Sequence, residues 1–169
     1  MEISEERARR WLTEAEGYLE LGLFDQALER LQRLSGTQRF RLERALLSGS
    51  LYRERGDYAT AVPSFEEALR QEPGNVPATI GLGWCLKRLG RLEQAIGPYV
   101  EAIKRQPNVG VLHYNLACYL SLLGRAEQAL QALDRAFALD ESFKELAGAE
   151  SDFDPIKELP AFRKKVRGT

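Results

Sequence analysis

The sequence predicts an all-α fold of stacked antiparallel helix pairs, an α-solenoid. Three observations predict it. Leu, Ala, Glu, Arg and Gln dominate, and these are strong helix formers, whereas the β-branched Val and Thr that favour strands are sparse. Glycines fall at Gly22, Gly56, Gly90 and Gly124, each 34 residues apart. Five residues after each stands an alanine (Ala27, Ala61, Ala95, Ala129), and four further on a large apolar residue (Leu31, Phe65, Tyr99, Leu133). A fixed period of this kind marks repeats that stack because no single helical hairpin buries its apolar face alone.

Each unit follows from the same logic. The glycine ends helix A and turns the chain into helix B, since glycine adopts a left-handed conformation at little cost. Ala15, Gly49, Gly83 and Ala117 on the A helices, with the alanine series on B, allow close approach. Tyr18, Tyr52, Leu86 and Leu120 fill the space beside that contact. The expected layout is one domain, 1–169, with repeats at about 8–41, 42–75, 76–109 and 110–143 and a capping segment at about 144–169. Pro63 and Pro98 fall inside helix B of repeats two and three, where each removes a backbone donor and bends its helix toward solvent. In the cap, Phe153, Ile156, Leu159, Phe162 and Val166 recur at helical spacing, and Pro155 and Pro160 suit the first turns of short helices. The basic end, Arg163, Lys164, Lys165 and Arg167, reads as a solvated face of that cap.

Composition excludes several function classes. A net charge of -1 provides no global field for nucleic acid or an anionic membrane. The stretch QPNVGVLHYNLACYLSLLG carries no formal charge, yet its Gln, Pro, Asn, His and Ser residues fit a greasy soluble helix better than a membrane span. The charged start MEISEERARRW lacks the apolar run of a signal peptide, and Cys85 and Cys118 make no disulfide framework; both point to the cytoplasm. Arg55-Gly56-Asp57 spells an adhesion tripeptide, but Gly56 belongs to the glycine series, so the segment reads as an A–B turn with Asp57 capping helix B.

No constellation carries catalysis, a cofactor or a metal. His113 has no second ligand at metal-binding spacing and reads as core or groove wall. Cys85 and Cys118 read as small packing residues. The glycines of IGLGWCLKRLG sit inside a helical repeat, not in a phosphate loop. The expected protein is not an enzyme.

The period and the pattern resemble the tetratricopeptide repeat family. Gly49, Tyr52, Gly56, Tyr58, Ala61, Phe65, Ala68 and Pro73 carry the resemblance in the second unit. In the third they are Leu82, Gly83, Gly90, Ala95, Tyr99, Ala102 and Pro107. Departures are Glu14 and Ser48 at usual leucine positions, and Arg39 and Glu141 at closing-proline positions. The resemblance implies a right-handed superhelix whose A helices line a concave groove for a peptide or helix of a protein partner. Carried onto this chain, one groove column is Leu12, Leu46, Ile80 and Tyr114. The next is Glu16, Ser50, Trp84 and Cys118, and the third is Leu19, Arg53, Lys87 and Ser121, flanked by Glu20, Glu54, Arg88 and Leu122.

Trp84 and Tyr114 are the expected aromatic anchors, since aromatics dominate interface hot spots. Burying Leu46 or Ile80 against a partner is worth about 1.5–3 kcal/mol each. Arg53, Lys87 and Arg88 suit acidic groups flanking the ligand's apolar anchors. The two-carboxylate clamp of some family members requires Lys and Asn where this chain has Leu12, Glu16, Leu46, Ser50, Ile80 and Trp84, so that sub-function is not expected. The competing expectation is that the chain's own C-terminal segment, or a second copy in a homo-oligomer, fills the apolar column.

Overall fold

The computed structural model describes residues 3–35, 38 and 40–168; Arg39, at the closing-proline position of the first repeat, lies outside them. Among the described residues there are ten α-helices and no strand. The A helices are α1 (Glu5–Glu20), α3 (Arg41–Glu54), α5 (Val76–Arg88) and α7 (Gly110–Leu122). The B helices are α2 (Phe24–Arg33), α4 (Tyr58–Gln71), α6 (Glu93–Arg105) and α8 (Ala126–Leu139). Helix α9 (Ser142–Ala149), a 3₁₀ turn at Ser151–Phe153 and α10 (Pro160–Arg167) form the C-terminal cap.

The glycine ruler is observed at every A–B turn. Gly56 has φ +77° and Gly90 +70°, with Gly22 and Gly124 in the same left-handed region. At the second turn the Asp57 carboxylate accepts a hydrogen bond from the Thr60 amide at 3.1 Å, which holds its pKa below the usual carboxylate value. Arg55 pairs with Asp25 at 3.1 Å. The Arg-Gly-Asp segment is therefore a capped interhelical turn.

The chain divides into two compact units between Leu89 and Gly90, inside the third repeat. The first holds α1–α5. Ala8, Ala15, Ala27, Leu31, Leu34, Phe40 and Leu51 build its N-terminal core, with Trp11 and Tyr18 packed against them. Glu14 stands where the family pattern has leucine, and it receives a hydrogen bond from Arg30 at 2.5 Å. The Arg30 guanidinium lies 5.6 Å from the Tyr18 ring centre, so the polar replacement is paired rather than wasted. Further along, Phe65 of α4 is fully buried between two glycines. A Cβ on Gly49 of α3 would lie 2.7 Å from its ring, and one on Gly81 of α5 only 2.4 Å. Both positions must be glycine for three helices to close around one phenyl ring.

The second unit holds α6–α10. Tyr99 of α6 is fully buried, edge-on to Tyr119 of α7 with ring centres 5.4 Å apart. Asn115 Nδ2 donates to the Tyr99 hydroxyl at 3.3 Å, and burial pushes that hydroxyl up to about 12. His113 is buried with Nε2 2.9 Å from the Pro107 carbonyl oxygen, a structural role for the single histidine.

Three details of the sequence reading change. The cap is not one amphipathic stripe: α9 already begins at Ser142, Phe153 lies in the 3₁₀ turn, and Ile156 lies in the turn after it. Pro160 does open α10, but Pro155 sits in a turn, because Phe153 must reach the α7 face before the chain can start a new helix. Of the two prolines inside B helices, Pro63 is exposed and Pro98 half-buried.

Candidate functional site

The A helices of the first unit carry most of the expected groove residues. Each is placed by the same helical periodicity: residues four apart share a face. Leu12 on α1, Leu46 on α3 and Ile80 on α5 are half-buried, so each keeps apolar surface in reach of a ligand. Trp84, one turn beyond Ile80, is 40% exposed, unusual for an indole. Its ring lies 5.2 Å from that of Tyr58 at an interplanar angle of 79°, an edge-to-face pair. Arg88 covers both rings, with Cζ 5.5 Å from the Tyr58 centre and 5.8 Å from that of Trp84. The Arg88 side chain is thus held on an aromatic platform, and part of the indole remains exposed to solvent.

Between α1 and α3 the same surface deepens into two adjoining clefts. The smaller, about 300 Å³, is lined by Leu12, Thr13, Glu16, Glu43, Leu46 and Leu47. The larger, about 570 Å³, runs from Glu16 and Leu47 to Phe24, Ser50, Arg53 and Glu54. Glu16 and Leu47 belong to both, so the two form one trough. Arg53 does not reach outward as a free cation: it donates to Glu54 at 2.8 Å. Glu43 and Leu47 were not singled out from the sequence. Glu43 lies three residues before Leu46, and that spacing was the available signal that it shares the Leu46 face.

The second unit presents its A helix differently. Tyr114 and Cys118 of α7, the continuation of the first two columns, are both buried. Tyr114 stacks on Phe143 of α9 with ring centres 4.9 Å apart and meets Phe153 edge-on at 5.7 Å. Phe153 in turn contacts Phe162 of α10 at 5.5 Å. Burial raises the Tyr114 hydroxyl well above the ordinary phenol value, with the Cys118, Glu150 and Asp152 charges adding in the same direction. On α7, therefore, the aromatic anchor position is taken by the chain's own C-terminal segment. Phe143 of α9, which closes this cover, had no sequence signal, since it stands outside the stripe of Phe153, Ile156, Leu159, Phe162 and Val166.

Cys85 is buried on α5, and desolvation pushes its thiol up to about 11, which suits a packing residue rather than a nucleophile. Among the described residues no group of three or more His, Cys, Asp or Glu side chains is arranged to hold a metal ion. No helix among them is long and apolar enough to cross a membrane.

Family models described as tetratricopeptide repeat match residues 52–97 and 99–131. No curated protein matches the chain. Among solved structures, a crystal structure of MamA protein superposes with a TM-score of 0.75 at 16% identity, covering 96% of this chain and 93% of that one. The MamA RS-1 ArsTM double mutant gives 0.73 at 19% identity over 97% and 94%. A further crystal structure of MamA gives 0.72 at 18% identity over 82% and 81%. At these identities the likeness is one of fold.

Proposed function

The chain belongs to the tetratricopeptide repeat family, and we propose that it is a non-enzymatic protein-recognition scaffold whose binding surface is the A-helix face of its first unit. The observation that carries this reading is the half-open Trp84, locked by Tyr58 and Arg88 and continuous in register with the half-buried Ile80, Leu46 and Leu12. A rigid, partly exposed indole beside aliphatic side chains supplies contact area at little entropic cost on binding. The ligand is a peptide or helix with apolar anchors, seated along α1, α3 and α5. Tyr114 and Cys118 contribute to recognition only through their fixed packing, since both are buried and Tyr114 already lies against Phe143 and Phe153 of the C-terminal segment.

The test is selection of a displayed peptide library on the purified chain. Selected peptides are expected to lose at least about tenfold in affinity for a Leu46→Ala/Trp84→Ala double variant whose far-UV circular dichroism is unchanged. Retained affinity overturns the reading. Self-association is the second reading. In the C-terminal segment Phe153, Ile156 and Phe162 are buried while Leu146 and Leu159 are exposed, so a copy-to-copy contact would set those two leucines against the open A-helix face. Sedimentation of the same double variant tests it: a dimer that the substitutions dissolve supports self-association, and a monomer at all concentrations excludes it.

A further inference from the structure

We propose that the trough between α1 and α3 selects a cationic amphipathic segment of a different protein, one whose leucine-sized side chains enter the cleft while its Lys or Arg residues meet the carboxylate walls. This rests on the reading of the first unit as a recognition surface and reverses the sequence expectation of acidic flanks on the ligand. The floor is aliphatic, with Leu12, Leu46 and Leu47 at its centre. The walls carry Glu16, Glu20, Glu43 and Glu54 against one cation, Arg53. Arg53 and Glu54 neutralise each other in a 2.8 Å pair. Glu16, Glu20 and Glu43 have no ion-pair partner among the described residues and are all exposed.

Three carboxylates without an ion-pair partner among the described residues line one apolar trough, and a cationic ligand supplies the opposite charge. Each exposed pair formed with a ligand adds little by itself, but like-signed walls around a low-dielectric floor focus the field and favour encounter with the opposite charge. An acidic ligand meets the reverse: its carboxylates would be held beside three others.

A second copy of this chain fits less well. Its basic cluster lies on α10, where Arg163 pairs with Glu158 and Lys165 with Asp134. Phe162, the large apolar side chain of that helix, is buried in its own unit. Leu159, the exposed leucine at the N-cap of α10, is a single anchor set against a trough floor of three leucines.

The experiment uses the purified full chain and two short fluorescent synthetic helices, one of leucine and lysine and one of leucine and glutamate, read by anisotropy at physiological salt. The lysine helix is expected to bind at least about tenfold more tightly than the glutamate helix. Glu16→Lys/Glu43→Lys should abolish or invert that preference. The control Glu66→Lys/Glu127→Lys changes net charge equally at exposed sites on α4 and α8, and should shift binding by less than about twofold.

Equal losses in the two double variants would reduce the effect to bulk charge and overturn the proposal. Equal or tighter binding of the glutamate helix overturns the charge assignment while the groove reading stands. If neither helix binds, the charge assignment falls and the library-selected peptides alone decide the groove reading. A dimer that Glu16→Lys/Glu43→Lys dissolves would assign the trough to a second copy instead.

Discussion

The two units treat the same helical face in opposite ways. In the first, the A-helix face is left open, with a leucine floor, acidic walls and an indole at one end. In the second, the equivalent face of α7 lies beneath the aromatic side chains of the C-terminal segment. The difference teaches that repeat register alone does not make a binding groove. Tyr114 and Leu46 occupy the same register position, yet one is a core residue and the other part of a surface. A terminal repeat has no following hairpin, so its apolar face must be covered by something. In this chain Phe143 and Phe153 do so, with Phe162 packed behind Phe153.

The largest expected effect comes from removing that cover. Phe153 is fully buried, and Phe153→Ala is expected to lower stability by about 3–5 kcal/mol in urea unfolding. Trp84→Ala, the matching aromatic deletion on the open side, should cost less than Phe153→Ala, because Trp84 is already 40% exposed to solvent. If the two variants unfold at the same urea concentration, the contrast between covered and open faces is broken.

Next is the packing of the first unit. Gly81→Ala places a methyl group against the Phe65 ring and should destabilise by about 1–3 kcal/mol. A compensating Phe65→Leu in the same chain should recover part of the loss. Absence of any recovery would mean that backbone conformation, not the ring, sets the cost.

Alkali sharpens the comparison further. Tyr99, Tyr114 and Tyr119 of the second unit all have hydroxyl pKa values raised by burial. In the folded state each hydroxyl keeps its proton beyond the ordinary value of 10.0, so its contribution is complete below that pH. It is lost as pH rises, through about 12 for Tyr99. Thermal stability should therefore fall above about pH 10, and in a Tyr18→Phe/Tyr52→Phe/Tyr58→Phe variant, which leaves only these three phenols, tyrosinate absorbance should appear together with loss of helicity. Early tyrosinate absorbance at constant helicity would contradict this burial. The smallest effect is expected from Asp57→Ala, which removes the Thr60 cap at one turn. It should lower the melting temperature slightly and lower the acid sensitivity of the first unit, since a depressed carboxylate loses its contribution as pH falls.

Much of the fold was legible in sequence because it depends on local rules that repeat. The left-handed glycines, the fully buried alanine series and the Asp57 cap each follow from backbone sterics or from one side chain meeting a nearby amide. Gly81 was less legible: its requirement comes from Phe65 on another helix, which no local pattern displays. The aromatic cover on α7 was equally hidden, because Tyr114, Phe143 and Phe153 are brought together by the irregular chain path after α8.

The sequence by itself determined the helical hairpins, their period and which side chains share the A-helix face, since these are set by propensity and helical geometry. Only the tertiary structure decided where that face is open and what charge surrounds it. Exposure and electrostatic field depend on which distant segments pack together, and the 34-residue period is blind to that.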